Sequence, residues 1–109
     1  MQTIQFIKGY VTKVTKYKTS GEKPKDYTCF SLATNIYNFK ERDKNDYPTR
    51  EGTIWTNYIY WGDVNLKVGM PVVVESHLTL SKSKEISYNM VADSISLDLT
   101  NKNAKEYIK

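Results

Sequence analysis

The chain has 109 residues and a mass of 12.7 kDa, which is the size of one small domain. Its residues are 39% hydrophobic and 26% charged, and this ordinary composition excludes disorder over most of the length. No apolar run approaches the roughly 20 residues of a membrane helix, and no signal-peptide pattern opens the chain. The single cysteine, Cys29, excludes an internal disulfide and a cysteine-ligated metal site. We therefore expect a cytoplasmic protein with no membrane partner.

The sequence predicts five strands separated by turn signals. In chain order they cover residues 3–17, 27–37, 53–61, 70–80 and 86–97. Residues 18–26 form a turn, residues 38–52 a polar loop broken by Pro48, and residues 62–69 a connection with at most one helical turn. The tail, residues 100–109, forms either a short helix or a loose segment. Gly9 inside the long first strand indicates a bulge or sharp coil, which favours a closed five-stranded barrel over a sandwich.

Positive charge and aromatic residues are both in excess. The formal net charge is +4, and 13% of the residues are aromatic. Single-stranded nucleic acid suits this combination, because it is an anionic backbone carrying flat bases. Arg42 and Arg50 are the only arginines among the 16 basic residues, so we expect contacts with phosphate rather than bidentate contacts with base edges. A genomic bias towards lysine, and aromatics that fill a small core, remain as alternatives.

The third strand carries the most informative pattern. Trp55, Asn57 and Trp61 share one face, and Tyr58 and Tyr60 share the other. A half-buried strand places its bulky apolar residues on one side only. Some of these aromatics must therefore be exposed, either as a surface on which bases stack or as part of an interface with a second subunit.

Three segments together resemble the bacterial single-stranded DNA-binding proteins. They are residues 30–35 (FSLATN), residues 53–62 (TIWTNYIYWG), and residues 68–75, where VG leads into VVVE. The similarity covers about residues 7–97 in the same strand order. The resemblance implies an all-β fold, a five-stranded OB-fold barrel, and single-stranded DNA as the partner. It also implies a homo-oligomer, a dimer or a tetramer, which open sheet edges would favour.

The resemblance also implies functions for particular residues. Trp55 and Trp61 match positions at which rings stack on bases, and Gly9 matches the glycine of the first strand. A family tryptophan after the second strand falls at Asn38, so either neighbour of that residue could supply the ring. The further candidates carried over are Tyr37, Phe39, Tyr10 and Lys13.

Several features depart from the family pattern. The helix expected between strands 3 and 4 is reduced to residues 63–67, and Ser83 stands near the place of an aromatic residue. Residues 1–99 would form the OB-fold domain, followed by a basic tail, residues 100–109, in place of the acidic tail that recruits partner enzymes. This pattern suits a compact version from a phage, plasmid or other mobile element.

Basic residues cluster in the first strand and the turn that follows it. In an OB-fold this region flanks the binding groove. Its candidate phosphate contacts, beside Lys13, are Lys16 and Lys18, and Lys82 and Lys84 could form the opposite wall. Affinity for nucleic acid should then fall steeply with salt.

The sequence shows no phosphate-cradling glycine loop and no metal-ligand spacing, and its one histidine, His77, has no nucleophile beside it. We therefore expect a protein that is not an enzyme and needs no cofactor. The leading hypothesis is non-sequence-specific binding of single-stranded DNA in replication, recombination or repair. One alternative is a primosomal or helicase-accessory OB protein that works mainly through a protein partner. Another is an OB module for protein or RNA, with its aromatics buried in a homo-oligomer.

Overall fold

A computed structural model describes residues 3–81 and 87–108 of the chain. Its elements are β1 (Gln5–Lys18), β2 (Asp26–Arg42), β3 (Pro48–Trp61), β4 (Pro71–Ser81), β5 (Ser87–Leu97) and one turn of 3-10 helix (Ala104–Tyr107). The strands close into a barrel in the order β1-β2-β3-β5-β4. The prediction of an all-β, five-stranded barrel is therefore confirmed.

β1 belongs to both halves of the barrel. Residues Gln5 to Tyr10 pair with β4, and residues Tyr10 to Lys18 pair with β2, both antiparallel. β3 pairs antiparallel with β2, and β5 pairs antiparallel with β4. β3 and β5 run parallel, and Ile59 and Val91 are their paired residues.

β1 passes from its pairing with β4 to its pairing with β2 next to Gly9, and the absence of a side chain there is required. A Cβ atom built at this residue would lie 2.8 Å from the carbonyl oxygen of Ala33 and 2.8 Å from Oγ1 of Thr34. The Thr34 hydroxyl donates a hydrogen bond of 2.7 Å to the carbonyl of Lys8, which holds the two backbones together. The shift in pairing register lies further on, between Val11 and Lys13. The glycine therefore permits close approach of β2, and the bulge follows it.

Alternating side chains of all five strands fill the barrel. The buried cluster consists of Val11, Phe30, Leu32, Tyr58, Val72, Val74 and Ala92. The rings of Phe30 and Tyr58 stack with centroids 5.1 Å apart. Burial raises the pKa of the Tyr58 hydroxyl. Since Tyr58 lies inside, the opposite face of β3 points outward.

The prediction of a loop over residues 38–52 was wrong. β2 continues to Arg42 and β3 begins at Pro48, so the two strands form a long hairpin arm. Its turn is held by Asp43, whose Oδ1 accepts hydrogen bonds from the backbone N–H of Asn45 (2.8 Å) and Tyr47 (3.1 Å). The arm extends beyond the core, so its residues need no apolar alternation. Proline is tolerated at the first residue of a strand, where no ladder N–H is required.

The segment after β5 packs on the end of the barrel. The backbone N–H of Asp98 donates to the carbonyl of Pro71 (3.0 Å), and Nδ2 of Asn101 donates to the hydroxyl of Tyr10 (2.7 Å). Ala104, at the start of the 3-10 turn, is only 2% exposed. Of the two expectations for the tail, the short helix is the one observed. None of the helical residues in the described ranges forms a helix long and apolar enough to cross a membrane.

Candidate nucleic-acid interface

The outward side chains of β1, β2 and β3 lie in four cross-strand rows, which we call the outer face. The pairing register aligns Tyr17–Tyr27–Trp61, Thr15–Cys29–Ile59, Lys13–Ser31–Asn57 and Tyr10–Ala33–Trp55. Same-face neighbours along a strand are about 7 Å apart, so the rows cover about 20 Å from first to last. The outer face thus carries aromatic rings at both ends and a polar row between them.

The two tryptophans stand exposed at opposite ends of this face. The exposed fraction is 64% for Trp55 and 54% for Trp61. The next residue after Tyr58 on the inner side of β3, Tyr60, is partly buried and packs against the core. The expectation that some β3 aromatics stand in the open therefore applies to the tryptophan side.

Trp61 belongs to a group of three rings. Its ring centroid lies 5.3 Å from that of Tyr27, and Tyr27 stacks on Tyr17 at 5.3 Å with an interplanar angle of 21°. Neither tyrosine was among the residues selected from the sequence, because only the pairing register brings them beside Trp61. Tyr17 is 47% exposed, so this end offers more aromatic surface than one indole ring.

A cleft of about 500 Å³ opens over the middle of the outer face and is lined by Lys13, Asn57 and Trp55. The side chain of Ser31 donates a hydrogen bond of 2.6 Å to Oδ1 of Asn57. Cys29 also lines the cleft, and burial raises the pKa of its thiol, so little thiolate is present at neutral pH. Three of the predicted site residues therefore meet in one groove.

Lys16 and Lys18 line a separate cleft of about 290 Å³ beyond Tyr17 and Tyr27. Lys16 Nζ lies 2.6 Å from Oδ1 of Asp63, and Lys18 Nζ lies 3.7 Å from Oδ1 of Asp26. All four side chains are more than half exposed, so each pair contributes at most about 1 kcal/mol. A phosphate can therefore compete with these carboxylates for the ammonium groups.

Tyr10, Tyr37 and Phe39 line a third cleft of about 570 Å³ where the hairpin arm leaves the barrel. Tyr37 is 45% exposed and Phe39 is 68% exposed. Both rings are therefore accessible on the arm. The hydroxyl of Tyr10 accepts a hydrogen bond from Asn101, and Tyr10 aligns with Ala33 and Trp55 in the last row of the outer face.

Lys82 and Lys84 lie outside the described residues. His77 is paired through Nδ1 with Oδ2 of Asp93 at 2.8 Å, on the β4–β5 side of the barrel. In residues 3–81 and 87–108 there is no group of three or more His, Cys, Asp or Glu side chains that could hold a metal ion.

No protein-family model and no curated protein sequence matches the chain. Solved structures do match it in fold. The small single-stranded DNA-binding protein from Streptomyces coelicolor is 17% identical with a TM-score of 0.62, over 92% of this chain and 96% of its own. SSBb, the second single-stranded DNA-binding protein from Mycobacterium smegmatis, is 18% identical with a TM-score of 0.61, over 92% of each chain.

A third match is SSB from Plasmodium falciparum, solved in complex with single-stranded DNA. It is 18% identical with a TM-score of 0.60, over 86% of this chain and 92% of its own. These proteins span almost the whole chain, so the similarity concerns the complete barrel rather than one hairpin. The chain has the OB-fold of the single-stranded DNA-binding proteins.

Proposed function

We propose that the protein binds single-stranded DNA without sequence specificity, across the outer face of β1, β2 and β3. The observation that carries this proposal is the pair of exposed tryptophans, Trp55 and Trp61, on one face of a fold shared with single-stranded DNA-binding proteins. Bases stack on such rings for about 1–3 kcal/mol each, whatever the base. Duplex DNA hides the faces of its bases, so stacking favours the single strand.

Lysines supply the contacts with the backbone. Lys13 stands in the row between the tryptophans, and Lys16 and Lys18 extend the basic surface past the Trp61 end. Each phosphate neutralised on a single strand adds about 0.7 to the slope of log affinity against log salt. The strand would continue past Trp55 to Tyr37 and Phe39 on the hairpin arm. Lys82 and Lys84, outside the described residues, are proposed as the opposite wall.

The biological role we propose is protection of single-stranded DNA during replication or recombination, as a binding protein rather than an enzyme. We also propose that the protein forms a homo-oligomer. Ile4 and Phe6 support this, since they are 60% and 68% exposed beside the start of β1. Residues Gln5 to Gly9 pair with β4 alone, so this part of β1 also offers an unpaired strand edge.

Tryptophan fluorescence tests the proposal directly, because both tryptophans lie on the outer face. We expect oligo-dT to quench the emission, and the affinity to fall strongly between about 50 and about 200 mM salt. Duplex DNA of the same length is the control and should quench weakly. Oligo-dT should also slow alkylation of Cys29, which lies between the two tryptophan rows. A folded protein that shows neither quenching nor protection of Cys29 would exclude the outer face as a DNA site.

A further inference from the structure

The third cleft continues from the Trp55 end of the outer face. Tyr10 and Ala33, which share the last cross-strand row with Trp55, both line this cleft of about 570 Å³. Its volume lies within the range of about 300–1,000 Å³ that is typical of small-molecule sites. A single strand stacked on Trp55 therefore has room to continue into the cleft.

Two parts of the chain supply the side chains that line the cleft. The hairpin arm supplies the exposed rings of Tyr37 and Phe39. β1 supplies Lys8, and the segment after β5 supplies Asp98 and Asn101. An exposed ring, an ammonium group and an amide together suit one nucleotide, because its base stacks, its phosphate attracts the ammonium and its polar groups accept hydrogen bonds.

The segment after β5 is held in place by the barrel itself. Asn101 donates through Nδ2 to the Tyr10 hydroxyl at 2.7 Å, and its Oδ1 accepts from the backbone N–H of Asn103 at 2.9 Å. The amide nitrogen carries a second N–H donor. Because these bonds already fix the side chain, a contact with a ligand costs little further ordering.

Lys8 can bind a phosphate without leaving its present partner unpaired. Its Nζ lies 3.5 Å from Oδ2 of Asp98 and 3.1 Å from Oγ1 of Thr100. The Lys8 side chain is 58% exposed, so this ion pair is weak. Oδ1 of Asp98 also accepts hydrogen bonds from the backbone N–H (3.1 Å) and the hydroxyl (2.5 Å) of Thr100. Those two bonds remain when Lys8 turns to a phosphate.

We propose that the third cleft is a subsite for the nucleotide next to the one stacked on Trp55, and that the segment after β5 forms part of it. In this subsite the base stacks on Tyr37 or Phe39. Lys8 binds the phosphate, and the Asn101 amide donates to the base or the sugar. The inference rests on the proposed binding of single-stranded DNA. It extends the DNA site beyond the outer face to the segment that follows the last strand.

Asn101→Asp tests the segment after β5. The change adds a negative charge inside the cleft, and the Tyr10 hydroxyl can donate to the carboxylate, so the contact that holds the segment is kept. Repulsion of a phosphate at about 4 Å should weaken binding of labelled oligo-dT, measured by anisotropy, about fivefold. Asn103→Asp is the matched control, because it adds the same charge two residues further on, outside the cleft lining. It should weaken binding less.

Lys8→Ala tests the phosphate contact from β1. Loss of one contact should weaken binding at low salt and reduce the slope of log affinity against log salt by about 0.7. Lys67→Ala is the matched control, because Lys67 is exposed in the connection before β4 and lines none of the three clefts. It should leave the slope unchanged. Urea unfolding checks that all four variants are folded.

The outcomes distinguish this inference from the proposed function. Equal affinities of Asn101→Asp and Asn103→Asp, or a wild-type salt slope in Lys8→Ala, would overturn the subsite. Because the two substitutions lie in different elements, each tests the subsite on its own. Quenching of the wild-type tryptophans by oligo-dT would then leave the outer face as the DNA site. Failure to bind any single strand refutes the proposed function itself.

Discussion

Replacement of Trp55 by alanine is the sharpest test of the outer face. The side chain is 64% exposed and lies on the opposite side of β3 from the buried Tyr58, so its removal opens no cavity in the core. Surface substitutions of this kind change the free energy of unfolding by about 0.5 kcal/mol or less. Loss of one stacked base costs about 1–3 kcal/mol, which corresponds to a five- to 150-fold weaker affinity for oligo-dT. We expect at least a tenfold loss in binding with nearly unchanged stability.

Anisotropy of a labelled oligo-dT gives the affinity, and urea unfolding gives the stability. Ile54→Ala is the matched control, because Ile54 is the preceding residue, is 53% exposed and points to the other side of the strand. It should bind oligo-dT like the wild type. A folded Trp55→Ala protein with wild-type affinity, or an equal loss in both variants, would refute stacking at Trp55.

Three other substitutions test other parts of the structure. Asp63→Asn removes the carboxylate that competes with phosphate for Lys16, so oligo-dT should bind up to about fivefold more tightly at low salt, the equivalent of one exposed ion pair; an unchanged affinity would mean that Lys16 contacts no phosphate. Gly9→Ala forces a Cβ to within 2.8 Å of the Ala33 carbonyl and should lower the free energy of unfolding in urea by about 1–3 kcal/mol; wild-type stability would contradict a tight corner. The hydrogen bond from the Thr100 hydroxyl lowers the pKa of Asp98, so the native state binds this proton less tightly than the unfolded chain. Asp98→Asn should therefore reduce stability at neutral pH, and its deficit should shrink as the pH falls below about 4 through the lowered pKa; a deficit independent of pH would contradict this linkage.

The positions of the core strands along the chain were predictable because their side chains alternate. Phe30 and Leu32 point inward as their spacing indicates, and the two-sided aromatic pattern around Tyr58 correctly predicted exposed rings on β3. The strands of the hairpin arm were not predictable in the same way. They lie outside the core, and side chains such as Asn38 and Arg42 carry no periodic signal there.

Which side chains share the outer face depends on the pairing register between neighbouring β-strands. The residue pattern along one strand does not contain that register. Tyr17 and Tyr27 lie ten residues apart in the chain, and their ring contacts with each other and with Trp61 exist only because β1, β2 and β3 align them in one row. The same holds for the hydrogen bond from the Ser31 hydroxyl to Asn57. The ion pair of Lys16 with Asp63 depends on the non-helical connection after β3, so the sequence could not show that this lysine already has a partner.

The junction between β3 and β5 has a consequence for how the barrel moves. Elsewhere, antiparallel ladders of at least six paired residues join neighbouring strands, whereas Ile59 and Val91 form the described parallel pairing that completes the ring. Local opening follows the regions with fewest backbone hydrogen bonds. The amide protons at the contact between β3 and β5, around Ile59 and Val91, should therefore exchange with solvent well before those of the β1–β2 ladder. The barrel can therefore open between β3 and β5 while the four antiparallel ladders stay intact.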